Sequence, residues 1–173
     1  MGNKILVTYS TCTGSTKGVS EAIAKELSDM GESVDIVEMK DVKEIKPYKS
    51  VIAGSAIHAG RWLPEAIEFL EHNREELRKK PFAAFLVCMT LAMSKGDQYR
   101  DTVSGWLQPV RDLVTPVSEG IFKGTLEINK IPSFTNRLKF RISVLAGVWK
   151  EGDHREWESI QEWAGKTKIL LEK

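Results

Sequence analysis

Residues 4–18 read KILVTYSTCTGSTKG, and the order of residue types in this stretch decides the fold. The apolar run Ile5–Tyr9 predicts a buried strand, the hydroxyl-rich segment Ser10–Thr16 predicts a loop, and apolar residues at helical spacing then continue to Gly31. A loop between a strand and a helix N-terminus suits a phosphate, because unpaired N–H groups and the positive end of the helix dipole face it. The stretch therefore predicts a phosphate-binding βα unit.

The loop carries five hydroxyl side chains that can donate to phosphate oxygens: Ser10, Thr11, Thr13, Ser15 and Thr16. Gly14 lets the backbone come close to a ligand. A turn with an ordinary Ser/Thr N-cap is the alternative. The loops typical of nucleoside triphosphates and of dinucleotides are absent from the sequence. Cys12 is interpreted as a small residue that offers its backbone N–H, or as a thiol acidified by the helix N-terminus.

Composition limits the class of protein. The chain has 173 residues, 42% of them hydrophobic and 28% charged, which is enough for one well-buried core. A net charge of +1 gives no support for nucleic-acid binding. We find no membrane-spanning run and no signal peptide, and Cys12, Cys88 and the three histidines have no metal-ligand spacing. We expect a single domain over residues 1–173, without a metal, located in the cytoplasm.

Strand and helix patterns alternate along the chain, which predicts an α/β fold with a doubly wound parallel sheet. The five predicted strands are Ile5–Tyr9, Val34–Glu38, Val51–Gly54, Phe82–Met89 and Val114–Phe122. Helices are predicted after the first and third strands and within Asp97–Leu113. The last helix is predicted to begin at Asp153, where Asp153 and Glu156 fit a capping box, and to bury Trp157.

An insertion at residues 126–150 interrupts this alternation before the last helix. It carries five basic residues and one acidic residue, or +4, so the rest of the chain carries −3. The stretch Leu138–Trp149 joins basic and apolar residues. It predicts either an extra helix packed on the sheet edge with solvated bases, or a docking surface for a partner, an anionic lipid or a hydrophobic substrate.

The phosphate loop, Thr11-Cys-Thr-Gly-Ser-Thr16, resembles the T-x-T-G-x-T loop that holds the phosphate of FMN in flavodoxins. The resemblance implies a five-stranded sheet in the order 2-1-3-4-5, and FMN held by noncovalent contacts. It also implies that two further loops contact the flavin ring, with either His58 or Trp62 stacked on it. Their residues are Ser55, Ala56, Ile57, His58, Ala59, Gly60, Arg61 and Trp62 in one loop, and Thr90, Leu91, Ala92 and Met93 in the other. No residue is assigned a catalytic role.

A second resemblance involves the C-terminal part. Gly152-Asp-His-Arg-Glu-Trp157 and the residues after it resemble the ending of menaquinone-dependent protoporphyrinogen oxidases and their flavodoxin-domain relatives. This implies either an electron-transfer flavoprotein with redox-protein partners, or a quinone-linked oxidase of protoporphyrinogen IX. Porphyrin carboxylates or lipid phosphates would both favour Arg137, Lys139 and Arg141, so peripheral membrane contact is part of the expectation. A binding module that has lost flavin is disfavoured by the intact hydroxyls of the loop.

Overall fold

The central sheet is built from the apolar runs of the sequence. A computed structural model describes residues 3–172. Its strands are β1 (Lys4–Ser10), β2 (Ser33–Glu38), β3 (Ser50–His58), β4 (Arg61–Trp62), β5 (Phe82–Cys88), β6 (Ser118–Lys123), β7 (Thr125–Leu126) and β8 (Gly152–Asp153). Five of them are parallel, in the order β2-β1-β3-β5-β6. This is the flavodoxin order predicted from the resemblance, which is thus confirmed.

Helices cover both faces of the sheet. They are α1 (Ser15–Asp29), α2 (Pro64–His72), α3 (Arg74–Leu77), α4 (Arg100–Gly105), α5 (Gln108–Leu113), α6 (Phe134–Leu145) and α7 (Trp157–Leu171). α1 and α7 pack on one face through a cluster that includes Val19, Ile23 and Ile160. α2 to α5 pack on the other face. The central strands β1, β3 and β5 are buried along most of their length, as expected for a parallel sheet with both faces covered, whereas the edge strands β2 and β6 are only partly buried.

Two predicted boundaries near the fifth parallel strand are wrong. The helix expected within Asp97–Leu113 is broken into a 3-10 turn at Gly96–Tyr99, then α4 and α5. Proline at the start of α5 explains one break, because it fits the first turn of a new helix but not the interior of an old one. The strand expected from Val114 begins only at Ser118. Val114 instead follows α5 directly, and Pro116 lies between Val114 and the start of β6.

The third parallel strand is longer than predicted. The segment Ser55–His58 was expected in a loop, but β3 continues through it to His58. Ala59 and Gly60 then turn with positive φ angles of 49° and 74°, and the chain returns as β4, antiparallel to β3. Gly60 suits such a backbone conformation because it has no Cβ. The turn therefore projects from the carboxyl edge of the sheet.

The last helix begins later than predicted, at Trp157. Asp153 lies in β8 and its carboxylate accepts hydrogen bonds from the backbone N–H and the guanidinium of Arg155 and from Thr125 Oγ1. The expected capping box therefore does not form. Trp157 is 40% exposed rather than buried, with the Arg155 guanidinium 4.4 Å from its ring centroid.

The insertion is closed at its base by a small antiparallel pair. β7 pairs with β8, so that Leu126 lies opposite Gly152, and α6 lies in the segment between them. The extra helix predicted for this segment is present. None of the residues of α6, all of which the structure describes, is buried, so the helix does not pack on the sheet edge as one alternative expected. Between residues 3 and 172, we find no helix with the length and apolarity needed to cross a membrane.

Candidate functional site

A cavity of about 850 Å³ opens at the carboxyl ends of β1, β3 and β5. This edge is where ligands bind in doubly wound sheets. The volume lies in the range of small-molecule and cofactor sites, about 300–1,000 Å³. Its lining includes the loop after β1, the turn after β3, the end of β5 with the loop that follows, and residues of the insertion. The structure thus brings together segments that are far apart in sequence.

The loop after β1 presents its hydroxyls at the N-terminus of α1. Gly14 is the N-cap residue, with φ 91°, and Thr11 Oγ1 accepts a hydrogen bond from its N–H at 3.1 Å. Ser15 Oγ accepts from the backbone N–H of Thr125 at 3.0 Å, which leaves its own proton to donate. Within residues 3–172, no side chain caps α1, and its first turn contains no acidic residue. The positive end of this 15-residue helix is thus not neutralised locally.

Thr16 is the most informative residue of the loop. Its side chain is fully buried, lines the cavity, and its Oγ1 has no hydrogen-bond partner among the residues that the structure describes. A buried hydroxyl without a partner is destabilising, and native proteins rarely keep one without a reason. A ligand oxygen in the cavity would supply the missing partner.

Glu65 is a cavity residue that the sequence analysis missed. It lies in the first turn of α2, and its Oε1 accepts a hydrogen bond from Ser10 Oγ at 2.7 Å. The Ser10 hydroxyl is therefore committed to Glu65, and Ser10 is buried beneath the cavity. The position of Glu65 directly after the predicted ring-binding loop was the available signal.

Cys12 lines the cavity and is exposed. Partial desolvation raises the pKa of its thiol above the usual value, and the negative charge of Glu65 adds to the shift. This direction opposes the alternative of a thiol acidified by the helix N-terminus. The geometry favours Cys12 as a small loop residue beside Thr11 and Thr13, which also line the cavity.

The turn after β3 contributes part of its predicted residues to the cavity. Those that line it are Ala56, Ile57, His58, Ala59 and Gly60. Ser55 is buried, and its hydroxyl donates to Ala56 O and accepts from Leu63 N, which fixes the start of α2. Trp62 is buried in the core against α2, so of the two stacking candidates only His58 reaches the cavity. Arg61 lies on the exposed side of β4.

An aromatic wall faces this turn, and the sequence analysis did not predict it. Trp106 follows α4 and approaches Gly60 so closely that a Cβ there would lie 3.3 Å from its Nε1. Phe140 and Trp149, from the insertion, form a tilted pair with ring centroids 6.1 Å apart. All three line the cavity. Aromatic side chains on facing sides suit a planar ligand.

The loop after β5 divides between two cavities. Thr90 lines the main cavity, whereas Leu91, Ala92 and Met93 line a smaller one of about 450 Å³ with Lys123, His154 and Glu156. Thr90–Ala92 forms a 3-10 turn that aims successive side chains in different directions. Of the four residues predicted to contact the flavin ring from this loop, only Thr90 lines the main cavity.

The basic residues of the insertion lie outside the main cavity. The cavity is lined by Asn136 and Phe140 of α6, whereas Arg137, Lys139 and Arg141 are not among its lining residues in the described chain. Arg137 donates to Pro132 O and Arg141 to Asn129 Oδ1. Arg137, Lys139 and Arg141 therefore do not form part of the cavity wall.

The residues that line the cavity are chemically suited to a flavin mononucleotide. A phosphate suits the uncapped helix N-terminus with its unpartnered Thr16 hydroxyl, and a planar ring suits the space between the His58 turn and the aromatic wall. The fold and site thus define a doubly wound α/β protein with a hydroxyl-rich βα loop at the carboxyl edge of its sheet.

Comparison with known proteins gives the family. A family model described as a flavodoxin domain matches residues 6–146, and the chain belongs to this family. The protoporphyrinogen IX dehydrogenase (quinone) of Leishmania major is 27% identical over 96% of this chain and 75% of that protein. The protein of the same name in Escherichia coli K12 is 27% identical over 49% of this chain and 48% of its own length. The Streptococcus pneumoniae TIGR4 flavodoxin structure has a TM-score of 0.57 and 17% identity, with 96% and 97% of the two chains covered.

Family membership confirms the prediction of a flavodoxin-like redox protein, and it implies a flavin cofactor. The likeness to the solved flavodoxin supports the fold. Which flavin is bound, and by which side chains, belongs to the proposal that follows.

Proposed function

We propose that this chain binds FMN without a covalent bond and transfers electrons through it. The observation that carries the proposal is the fully buried, unpartnered hydroxyl of Thr16 under the uncapped N-terminus of α1. A phosphate oxygen is the partner that both features require, since it accepts from the hydroxyl and carries negative charge toward the helix dipole.

Each side of the cavity has a separate task in this proposal. Thr11, Thr13, Ser15 and Thr16 hold the phosphate with backbone N–H groups of the loop. The Ala56–Gly60 turn and Trp106 enclose the ring and exclude water from it, and Thr90 meets its polar edge. Ser10, Ser55 and Trp62 support these segments from beneath.

FMN, when bound, supplies the electron-transfer chemistry. The side chains around the ring then set how easily it is reduced. Glu65 places a carboxylate in the cavity, and His58 is the nearby group able to carry positive charge. The chain itself needs no nucleophile, because the cofactor carries the reaction and the protein positions it.

Thr16→Val tests the phosphate site, with Thr8→Val as its matched control. Both threonines are fully buried and both hydroxyls are unpartnered within residues 3–172, but only Thr16 lines the cavity. Either substitution should leave the ligand-free protein as stable as the wild type, or more stable by about 1 kcal/mol, because it removes a desolvated polar group. Only Thr16→Val should weaken FMN binding, by about 10-fold or more, since a hydrogen bond to a charged oxygen is lost.

Fluorescence titration of FMN and urea unfolding measure the two effects. Equal loss of FMN affinity in both variants would mean that the effect is a general change of the core, and the phosphate assignment would fail. Unchanged FMN affinity in Thr16→Val would also contradict the phosphate assignment.

A second candidate function is quinone-linked oxidation of protoporphyrinogen IX. Phe140, Trp149 and Ile131 of the insertion add an apolar wall to the cavity that also contains the His58 turn and Trp106. The Leishmania major relative named for this activity resembles the chain over nearly its whole length. Anaerobic mixing of FMN-loaded protein with protoporphyrinogen IX and a menaquinone analogue tests it. Porphyrin fluorescence that rises only when FMN and quinone are both present supports the oxidase function. If no porphyrin fluorescence appears although the bound flavin can be reduced, the electron-carrier function is supported.

A further inference from the structure

The helix α6 turns its apolar stripe toward solvent. Phe134, Leu138, Ile142 and Leu145 are 76%, 49%, 58% and 88% exposed. At 100° per residue these positions fall on one side of the helix, within a single stripe. A surface helix ordinarily faces such a stripe toward the core. Here the stripe has no cover within the described chain, while the opposite side, with Asn136 and Phe140, lines the cavity.

Basic residues flank the stripe on both sides. At helical spacing, Arg141 and Arg137 lie along one border and Lys139 along the other. In the part of the chain between residues 3 and 172, none of these three side chains forms an ion pair, although 15 such pairs occur elsewhere. The exposed Lys139 and Arg141 side chains thus remain able to meet an external negative charge, whereas Arg137 is half-buried and donates to Pro132 O.

We propose that α6 docks on an anionic lipid bilayer, with its apolar stripe at the boundary of headgroups and acyl chains. Apolar side chains would enter this boundary, while the flanking bases reach the headgroup phosphates. The net charge of +4 on the insertion, against −3 on the rest of the chain, orients this surface toward a negative membrane.

A second copy of the chain is a poorer occupant of the stripe. In a symmetric dimer the same patch meets itself, so Arg137, Lys139 and Arg141 would be brought against the identical bases of the other copy. Such like-charge contact opposes association. An anionic lipid surface satisfies both the apolar stripe and its basic borders. The inference goes beyond the proposed function, and it does not depend on a bound flavin.

Vesicle flotation tests the proposal with two pairs of matched variants. Ile142→Gln changes the stripe, and Ile169→Gln changes an isoleucine of α7 that is equally exposed, at 58%. Lys139→Glu changes the basic border, and Lys43→Glu changes an exposed lysine outside the insertion. Vesicles of phosphatidylcholine, with and without phosphatidylglycerol, are the probes. Because all four positions are exposed, the variants should keep the fold, which circular dichroism checks.

We expect wild-type protein to float with the phosphatidylglycerol vesicles and not with phosphatidylcholine alone. Ile142→Gln and Lys139→Glu should each lower the bound fraction by about five-fold or more, and the two control variants should match the wild type. Equal loss in the stripe variant and its control would overturn the proposal. So would absence of flotation, including the case in which sedimentation shows a dimer that Ile142→Gln dissociates.

Discussion

Within residues 3–172, the fully buried hydroxyl of Thr16 has no hydrogen-bond partner, although a neighbouring buried hydroxyl has one. Ser20, one turn further along α1, is also buried, and its Oγ donates to Thr16 O at 2.9 Å. The unmet hydroxyl at Thr16 costs about 1–3 kcal/mol when no ligand is present. That cost is understandable if a phosphate oxygen normally completes the hydrogen bond.

Asp153 gives a pH-dependent contribution to stability. Hydrogen bonds from Arg155, assisted by its positive charge, lower the pKa of this carboxyl from 3.8 to about 2. A carboxyl with a lowered pKa in the folded state stabilises the fold above about pH 4, and this stabilisation is lost as the pH falls toward about 2. Because the Asp153 side chain is 41% exposed, solvent screening reduces the contribution to about 1 kcal/mol or less.

Asp153→Asn should therefore be less stable than the wild type at neutral pH by about 1 kcal/mol or less, and the difference should shrink as the pH falls. Urea unfolding of both proteins across this range measures it. Asp97→Asn is the control, because Asp97 also pairs with an arginine but is 84% exposed. A difference between wild type and Asp153→Asn that grows on acidification would contradict the assignment.

Residue chemistry was easier to predict than the direction of a side chain. The hydroxyl loop was predicted from types and spacing alone, and the structure places Thr11, Thr13, Ser15 and Thr16 at one cavity. Which tryptophan faces that cavity was not predictable. Trp62 is close in sequence but turns into the core with β4, whereas Trp106 approaches Gly60 from a helix far along the chain.

At the scale of elements, the insertion is attached like the loop of a β-hairpin. Leu126 and Gly152 lie opposite each other in the antiparallel β7–β8 pair, so residues 127–151 can be replaced by the two-residue turn Asn-Gly. We expect this variant to fold with reduced stability, since Ile128 is the buried residue that it removes and α6 contributes none, and to bind FMN, since the phosphate loop and the His58 turn remain. Turnover of protoporphyrinogen IX, where the wild type shows it, should be lost with Phe140 and Trp149.

Titration of FMN and the anaerobic porphyrin assay measure these two properties in the same variant. A matched substitution, Phe140→Leu, separates the aromatic contact from the deletion, because it keeps the insertion and removes one ring. Loss of FMN binding on replacement of residues 127–151 would show that the insertion holds the cofactor, contrary to the account given above.

Element types were predicted better than element boundaries. The strands and the extra helix follow from apolar runs and spacing, which local sequence carries. The start of α7 does not follow from local sequence, because the pattern of Asp153 and Glu156 is compatible with a capping box and with a strand. The contact with Thr125, 28 residues earlier in the chain, accompanies the strand pairing that placed Asp153 in β8. Such long-range competition is absent from any local window.

In the molecule as a whole, one helix, α6, connects two surfaces. The inner side of α6 closes the cavity with Phe140, and its outer side carries the exposed apolar stripe. The charge of the chain is divided in the same way, with +4 on the insertion and −3 elsewhere. A single domain over residues 1–173 stays a prediction.

Binding of FMN can be compared with binding of riboflavin, which has the same ring and lacks the phosphate. If the loop Ser10–Thr16 and the N-terminus of α1 hold the phosphate, FMN should bind at least about 100-fold more tightly, because several hydrogen bonds to a charged group are lost with riboflavin. Calorimetry or flavin fluorescence gives both dissociation constants. Equal affinity for the two flavins would contradict the assignment of this loop as a phosphate site.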